Sequence, residues 1–203
     1  MDKPPFVTLR SVAVPLDRRN VDTDQIIPAR FLRKPRAAGM APYLFHDLRF
    51  DAQGAPVSDF ILNDAAYEGC CILVALENFG SGSSREAAVY ALWDYGIRVV
   101  IAPSFGDIFY SNSLKNGLLP IVLPMAKVQA LLELLKAHSK ASLRVSLDQQ
   151  TVTDPSGTSH PFEICPFQKV LLTSGQDELG YTVALQPRIE AFEKARASAQ
   201  PWL

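Results

Sequence analysis

Excess charge of either sign is missing from this chain. Its 20 Lys and Arg against 21 Asp and Glu leave a formal net charge of −1 over 203 residues. No global basic field draws it to nucleic acid, so any anion site must be local. Cysteine is scarce too: Cys70, Cys71 and Cys165 are the whole set. They form no C-x-x-C pair and no Cys/His set at zinc spacing. Cys70 and Cys71 sit in an apolar run and read as buried core thiols. An iron–sulfur cluster needs several thiolates at defined spacings, so a cluster would belong to a partner. His46, His138 and His160 are scattered and read as surface or loop residues. No apolar run reaches bilayer-spanning length. Met1-Asp2-Lys3-Pro4-Pro5 leads into a strand-like segment rather than a signal-peptide core, so the expected location is cytoplasmic. There is no internal repeat, no low-complexity segment and no linker between two cores. One domain over 1–203 is expected.

What is present suits a globular protein. Hydrophobic residues make up 48% and charged residues 20%, ordinary values for a packed domain. Residues 6–16 alternate apolar and polar and read as a strand ended by Pro15. The cluster around Asp22 and Asp24 reads as a loop, and Pro28 forces Ile27 away from helical angles. Residues 29–67 read as one long irregular loop. Such loops are usually functional lids or mobile segments, here pinned by Tyr43, Phe45, Phe50 and Phe60. From 68 to 124 the pattern is sharper: a strand over 70–76, a helix over 84–95, a strand over 97–102, a helix over 105–115 and a strand over 118–123. This βαβαβ order implies parallel strands with right-handed crossovers. A third helix follows Pro124, with Val128, Leu131, Leu132 and Leu135 on one face. Short strands with a hairpin at Asp154–Gly157 come next, then an ambiguous stretch over 167–172. A possible strand over 181–185 and a helical tail from about 187 complete the chain.

The chemistry concentrates at Asn78-Phe79-Gly80-Ser81-Gly82-Ser83-Ser84-Arg85-Glu86, between the second strand and its helix. The glycines allow a sharp bend and close backbone approach. Ser83-x-x-Glu86 matches a capping box, in which serine and glutamate satisfy each other's amides. The same helix N-terminus, with Arg85 beside it, also suits an anion. The two readings are compatible. A P-loop lysine and the third Rossmann glycine are both absent. Asp22 and Asp24 read as turn formers before metal ligands, since the calcium-loop glycine and distal glutamate are missing. Arg30, Arg33, Lys34 and Arg36 form a basic run, either a solvated face or a carboxylate grip.

Four stretches now stand in order: Asn20-Val21-Asp22-Thr23-Asp24-Gln25-Ile26-Ile27-Pro28, the Asn78–Glu86 turn, Ile101-Ala102-Pro103-Ser104-Phe105, and Lys115-Asn116-Gly117-Leu118-Leu119-Pro120. Together they resemble the small-subunit family of 3-isopropylmalate dehydratases, the detached swivelling domain of the aconitase family. The resemblance covers most of the chain and is strongest over 20–33 and 70–124. It implies an α/β fold, a swivelling β/β/α domain of the aconitase C-terminal type that closes over a large subunit. The large subunit would hold a 4Fe-4S cluster, with no cofactor or metal on this chain. The implied reaction on a small dicarboxylate moves a hydroxyl between adjacent carbons by dehydration and rehydration. The resemblance makes Ser83 the base that removes the carbon-bound proton. It gives Ser84 and Arg85 a substrate carboxylate, and gives Asp24 the task of organising the site. It adds an arginine from the following loop, with Arg30, Arg33 and Arg36 all open and the first two favoured. Partners in nucleic acid or membrane are not implied.

The turn departs from the family's usual Gly-Cys-Gly-Ser-Ser-Arg-Glu-His-Ala. Ser81 stands in place of the cysteine and Ala87 in place of the histidine, and the tail at Gln186-Pro187-Arg188 lacks another histidine. Ser83 and Arg85 are intact, so hydro-lyase chemistry is expected. Two alternatives stay open. One is a paralogue acting on another substituted malate (methylmalate/citraconate, dimethylmaleate or homoaconitate). The other is a non-catalytic, anion-binding regulatory subunit.

Overall fold

The computed structural model describes residues 3–82, 85–200 and 202. Among the described residues seven strands form one sheet: β1 (Thr8–Leu16), β2 (Ile72–Ala75), β3 (Val99–Ala102), β4 (Leu119–Val122), β5 (Ser142–Ser146), β6 (Thr151–Thr153) and β7 (Ser159–Pro161). The helices are α1 (Thr23–Ile26), α2 (His46–Arg49), α3 (Glu86–Tyr95), α4 (Asp107–Lys115), α5 (Met125–Ala137), α6 (Pro166–Ser174), α7 (Glu178–Ala184) and α8 (Gln186–Ala199). The sheet order is β4-β3-β2-β1-β5-β6-β7. β1 to β4 pair in parallel, and β5 to β7 continue antiparallel from β1.

The apolar runs of β2 and β3 have no polar face because both faces are covered. Side chains alternate across a strand. Leu73, Ala75, Val100 and Ala102 therefore enter a core with Ala88, Val89, Ala91 and Leu92 of α3. Ile72, Val74, Val99 and Ile101 enter the opposite core with Val128, Leu131, Leu132 and Leu135 of α5. The α5 face expected from spacing is the face buried. Gly96 ends α3 in the left-handed region at φ 113, the usual exit for a helix.

Several expectations need correction. The stretch 181–185 is not a strand but lies in α7 and its C-cap. Its Tyr-Thr-Val run favours a strand, but the Asp177 carboxylate accepts the Gly180 N–H at 2.7 Å and caps a helix there. The Asp22–Pro28 segment is not simply extended: Asp22 caps one helical turn through the Gln25 N–H at 2.7 Å. Ile27 is then extended, as Pro28 requires. The helix expected from 84 starts at Glu86. Cys71 is only partly buried, unlike Cys70. The ambiguous stretch over 167–172 is helical, inside α6. The long 29–67 segment is a chain of short 3₁₀ turns plus α2. Leu44, Phe45, Phe60 and Tyr67 anchor it in the α3 core, which is not the packing of a free lid.

Candidate functional site

The first three motifs meet beyond the carboxyl ends of β1, β2 and β3, the end where open α/β sheets bind ligands. After each strand breaks off, its loop resumes parallel pairing. Asp22 bridges Ser81, and Phe79 bridges Phe105. The bonds are all backbone: Gly80 N–H to Val21 O at 2.7 Å, Thr23 N–H to Ser81 O at 3.0 Å, Phe79 N–H to Ser104 O at 3.1 Å, and Gly106 N–H to Phe79 O at 2.9 Å. Asn20 and Asn78 start two of the motifs in left-handed geometry, at φ 53 and φ 62. Asparagine tolerates that region, and the Asn78 Nδ2 donates to Asn20 Oδ1 at 2.9 Å.

Two glycines set how closely the loops approach. Gly80 has φ +72, and a Cβ there would lie 2.2 Å from Cγ of buried Phe109. A Cβ on Gly106 would lie 2.5 Å from the Gly80 carbonyl oxygen. The fourth motif reaches the turn through a side chain: Asn116 Nδ2 donates to Glu86 Oε1 at 2.8 Å. Glu86 thus has a partner outside the expected capping box, and Arg85 occupies the N-cap position of α3 without a side-chain cap.

Arg85 and Asp24 form an ion pair across the first two motifs. The Arg85 side chain is 16% exposed and that of Asp24 56%. The Arg85 guanidinium, aided by the Ala29 backbone N–H, holds the Asp24 carboxyl below its ordinary range. A mostly buried cation is thereby aimed outward at an accessible carboxylate. Ser83 and Ser84 lie outside the described residues.

The basic run divides into three fates. Arg30 is paired with Asp47, through Nη1 to Oδ2 at 2.8 Å and a second contact from Nη2 to Oδ1. His46 Nδ1 lies 3.0 Å from the same carboxylate. Arg30, then His46, pull the Asp47 carboxyl down to about 2. Arg36 instead binds Asp94 of α3 with both terminal nitrogens, at 2.6 and 2.8 Å. Arg33 is exposed and has no hydrogen bond or ion pair among the described residues. Sequence reasoning missed Asp47, His46 and Asp94 as partners. No local signal could have found them, since Asp94 lies 58 residues from Arg36.

The donor set does not suit a metal cluster. Among the described residues no three His, Cys, Asp or Glu gather as a metal site. Burial pushes the Cys70 thiol up to about 12, which opposes the thiolate that a cluster needs.

Comparison with known proteins gives the family and the fold. The family model described as the aconitase C-terminal domain matches residues 3–126, and one described as LeuD_N matches 129–166. The chain is 48% identical to the 3-isopropylmalate dehydratase small subunit of Rhodospirillum centenum over 97% of each chain. It is 47% identical to that of Jannaschia sp. over the full length of both. A crystal structure titled 3-isopropylmalate dehydratase (leuD), from Methanocaldococcus jannaschii, superposes with a TM-score of 0.66 at 26% identity, covering 92% of this chain and 99% of that one. The expected fold, a swivelling β/β/α domain of the aconitase C-terminal type, is therefore the one observed. With three motif loops joined at the carboxyl end of such a sheet, and with near-half identity over the whole length, the chain belongs to the 3-isopropylmalate dehydratase small-subunit family.

Proposed function

We propose that this chain is the small subunit of a heteromeric hydro-lyase of leucine biosynthesis. The enzyme interconverts 2-isopropylmalate and 3-isopropylmalate by dehydration and rehydration in the cytoplasm. The carrying observation is the Asp24–Arg85 pair at the head of α3, where two motif loops are joined by backbone hydrogen bonds. The chain acts as one swivelling unit over the large subunit, and the 4Fe-4S cluster sits on that subunit.

In this reading Ser83 takes the carbon-bound proton and returns it to the neighbouring carbon of the alkene. A serine hydroxyl is a poor base in water. Two features favour its alkoxide here: the Arg85 cation two residues away and the N-terminal amides of the ten-residue α3. Closure against the large subunit removes water and strengthens both. Arg85 and Ser84 hold a substrate carboxylate. Asp24 keeps the guanidinium extended until that carboxylate arrives. Arg30 and Arg33 reach the substrate from the adjoining loop. The isolated chain is inactive, because it carries only half of the site.

The test is anaerobic co-expression with a large subunit and a spectrophotometric assay of alkene formation. The reconstituted pair turns over isopropylmalate, and Ser83→Ala lowers kcat by at least about 100-fold. Undiminished turnover in Ser83→Ala would remove the base assignment. Turnover of a different substituted malate in preference would move the substrate to a paralogous reaction. Dicarboxylate binding without turnover, by a pair with an intact cluster, would leave only a regulatory role.

A further inference from the structure

The Asp94 carboxylate carries more donors than a surface acid needs. It lies one residue before the C-terminus of α3, and its side chain is 16% exposed. It accepts both terminal Arg36 nitrogens, at 2.6 and 2.8 Å, and the Met40 backbone N–H at 2.7 Å. The Arg36 guanidinium also lies 4.5 Å from the centroid of the Tyr90 ring. Two parallel charge-assisted bonds fix orientation as well as distance, and the ring fixes the guanidinium plane. The 3% exposure of Met40 puts the far side of this contact in the core.

The clasp closes one end of a short span of chain. The other end is closed by Arg30 on Asp47. Between them, Leu32, Arg33, Lys34 and Pro35 are exposed. The same helix that Asp94 almost ends is headed by Arg85. Its ten residues set a separation of roughly 15 Å. α3 thus spans from the carboxylate grip to the anchor of the arginine-bearing loop.

We propose that Asp94 is a positioning residue for substrate recognition: through Arg36 it holds the Arg30–Arg33 limb in register with Arg85. This rests on the function proposed above. It makes Asp94 matter to substrate affinity without its touching substrate. Losing it leaves the proton-transfer residues in place and loosens the second set of carboxylate contacts.

The experiment uses the assembled two-subunit enzyme with Asp94→Ala, Asp94→Asn, Arg36→Ala and the double variant Asp94→Ala/Arg36→Ala. Asp17→Asn serves as control, because it breaks an exposed ion pair, with Lys136, that does not involve the 30–36 span. The expected result is a KM raised about 10-fold in either alanine variant with kcat within about twofold, the signature of lost uniform binding. The double variant is no worse than either single one, because both remove the same contact. If Asp94→Ala folds poorly, Asp94→Asn keeps an acceptor for Met40 and reads the same effect. Limited trypsin digestion of the isolated chain supplies a readout without turnover. Cleavage after Arg33 accelerates at least about fivefold in the Asp94 and Arg36 variants and not in Asp17→Asn; Lys34 precedes Pro35 and is not a site. A KM within twofold of the parent overturns the proposal, even if trypsin shows the clasp released. An inactive parent complex refutes the functional reading itself. Unchanged trypsin cleavage then refutes the clasp separately.

Discussion

Substituting Gly80 with alanine separates two costs that the structure assigns to different atoms. The first is backbone: at φ +72 an L-residue loses roughly 1–2 kcal/mol. The second is contact. The new methyl would lie 2.2 Å from Cγ and 2.6 Å from Cβ of Phe109. Phe109 cannot yield cheaply. It is 3% exposed and packs edge-on to Phe79 at 5.4 Å and stacked with Phe105 at 6.3 Å. Overpacking of this kind costs about 1–3 kcal/mol, so Gly80→Ala is expected to lose about 2–5 kcal/mol in all. Gly82→Ala is the matched comparison. Its φ is +88, but among the described residues the nearest atom to its new methyl is Asp22 Cβ at 3.6 Å, an ordinary contact. Only the backbone cost of roughly 1–2 kcal/mol applies there. The assay is urea unfolding of each variant, comparing midpoints at constant slope. Equal losses at the two glycines would refute the contact term. A double-mutant cycle with Phe109→Ala gives a second check, since removing the ring should reduce the excess cost of Gly80→Ala and leave only the part owed to Phe109 Cβ.

Three further outcomes follow from named contacts. Asp24→Asn is expected to change stability by less than about 1 kcal/mol, since that carboxylate is more than half exposed. It should still lower kcat/KM about 10-fold or more by freeing Arg85, and unaltered kinetics would remove Asp24 from the site. The Asp47 carboxyl should titrate near 2 when followed by NMR. Its folded value lies below its unfolded one, so its contribution to stability is complete above about pH 4 and is lost as pH falls towards 2. Arg30→Ala should return the midpoint to about 3–4, and a midpoint unmoved by that variant would mean Arg30 is not the cause. Gly106→Ala should destabilise by about 1–3 kcal/mol on chemical unfolding, despite an ordinary φ, because its methyl meets backbone rather than a movable side chain; a neutral effect would show that the two loops are not held at contact distance.

The sequence was readable where one local pattern decided the structure. β2 and β3 are short apolar runs because both faces of the parallel sheet are covered. The Val128–Leu135 spacing marks the buried face of α5 for the same reason. Local pattern failed at Tyr181–Val183, where a strand-prone run is overruled by the Asp177 cap on the preceding residues. It also failed across 29–67, which looks irregular because its order comes from distant partners. Phe45 and Phe60 meet each other at 5.8 Å, and Arg30 and Arg36 find carboxylates 17 and 58 residues away. No periodicity carries such pairings. The motif at 20–28 names Asp24, and the motif at 78–86 names Arg85, but their contact follows only from the resumed parallel pairing of the two loops.

That pairing also bears on Ser81 and Ala87, the two positions of the turn that depart from the expected pattern. Position 81 works through its backbone: its carbonyl accepts the Thr23 N–H at 3.0 Å and its N–H donates to Val21 O at 3.3 Å. Serine makes both bonds as well as cysteine would, so the join between the first two motifs does not depend on the side chain. Ala87 packs partly buried against the α3 core, while Arg85 pairs with Asp24. The geometry of the Asp24–Arg85 pair is therefore independent of both departures. Reactions of this kind are sensitive to position, since a misplacement of about 1 Å costs about 100-fold in rate. What protects that position here is backbone pairing and the glycine contacts behind it, which Ser81 and Ala87 leave untouched. Ser81→Cys or Ala87→His is accordingly a test of chemistry at the site and not of its assembly.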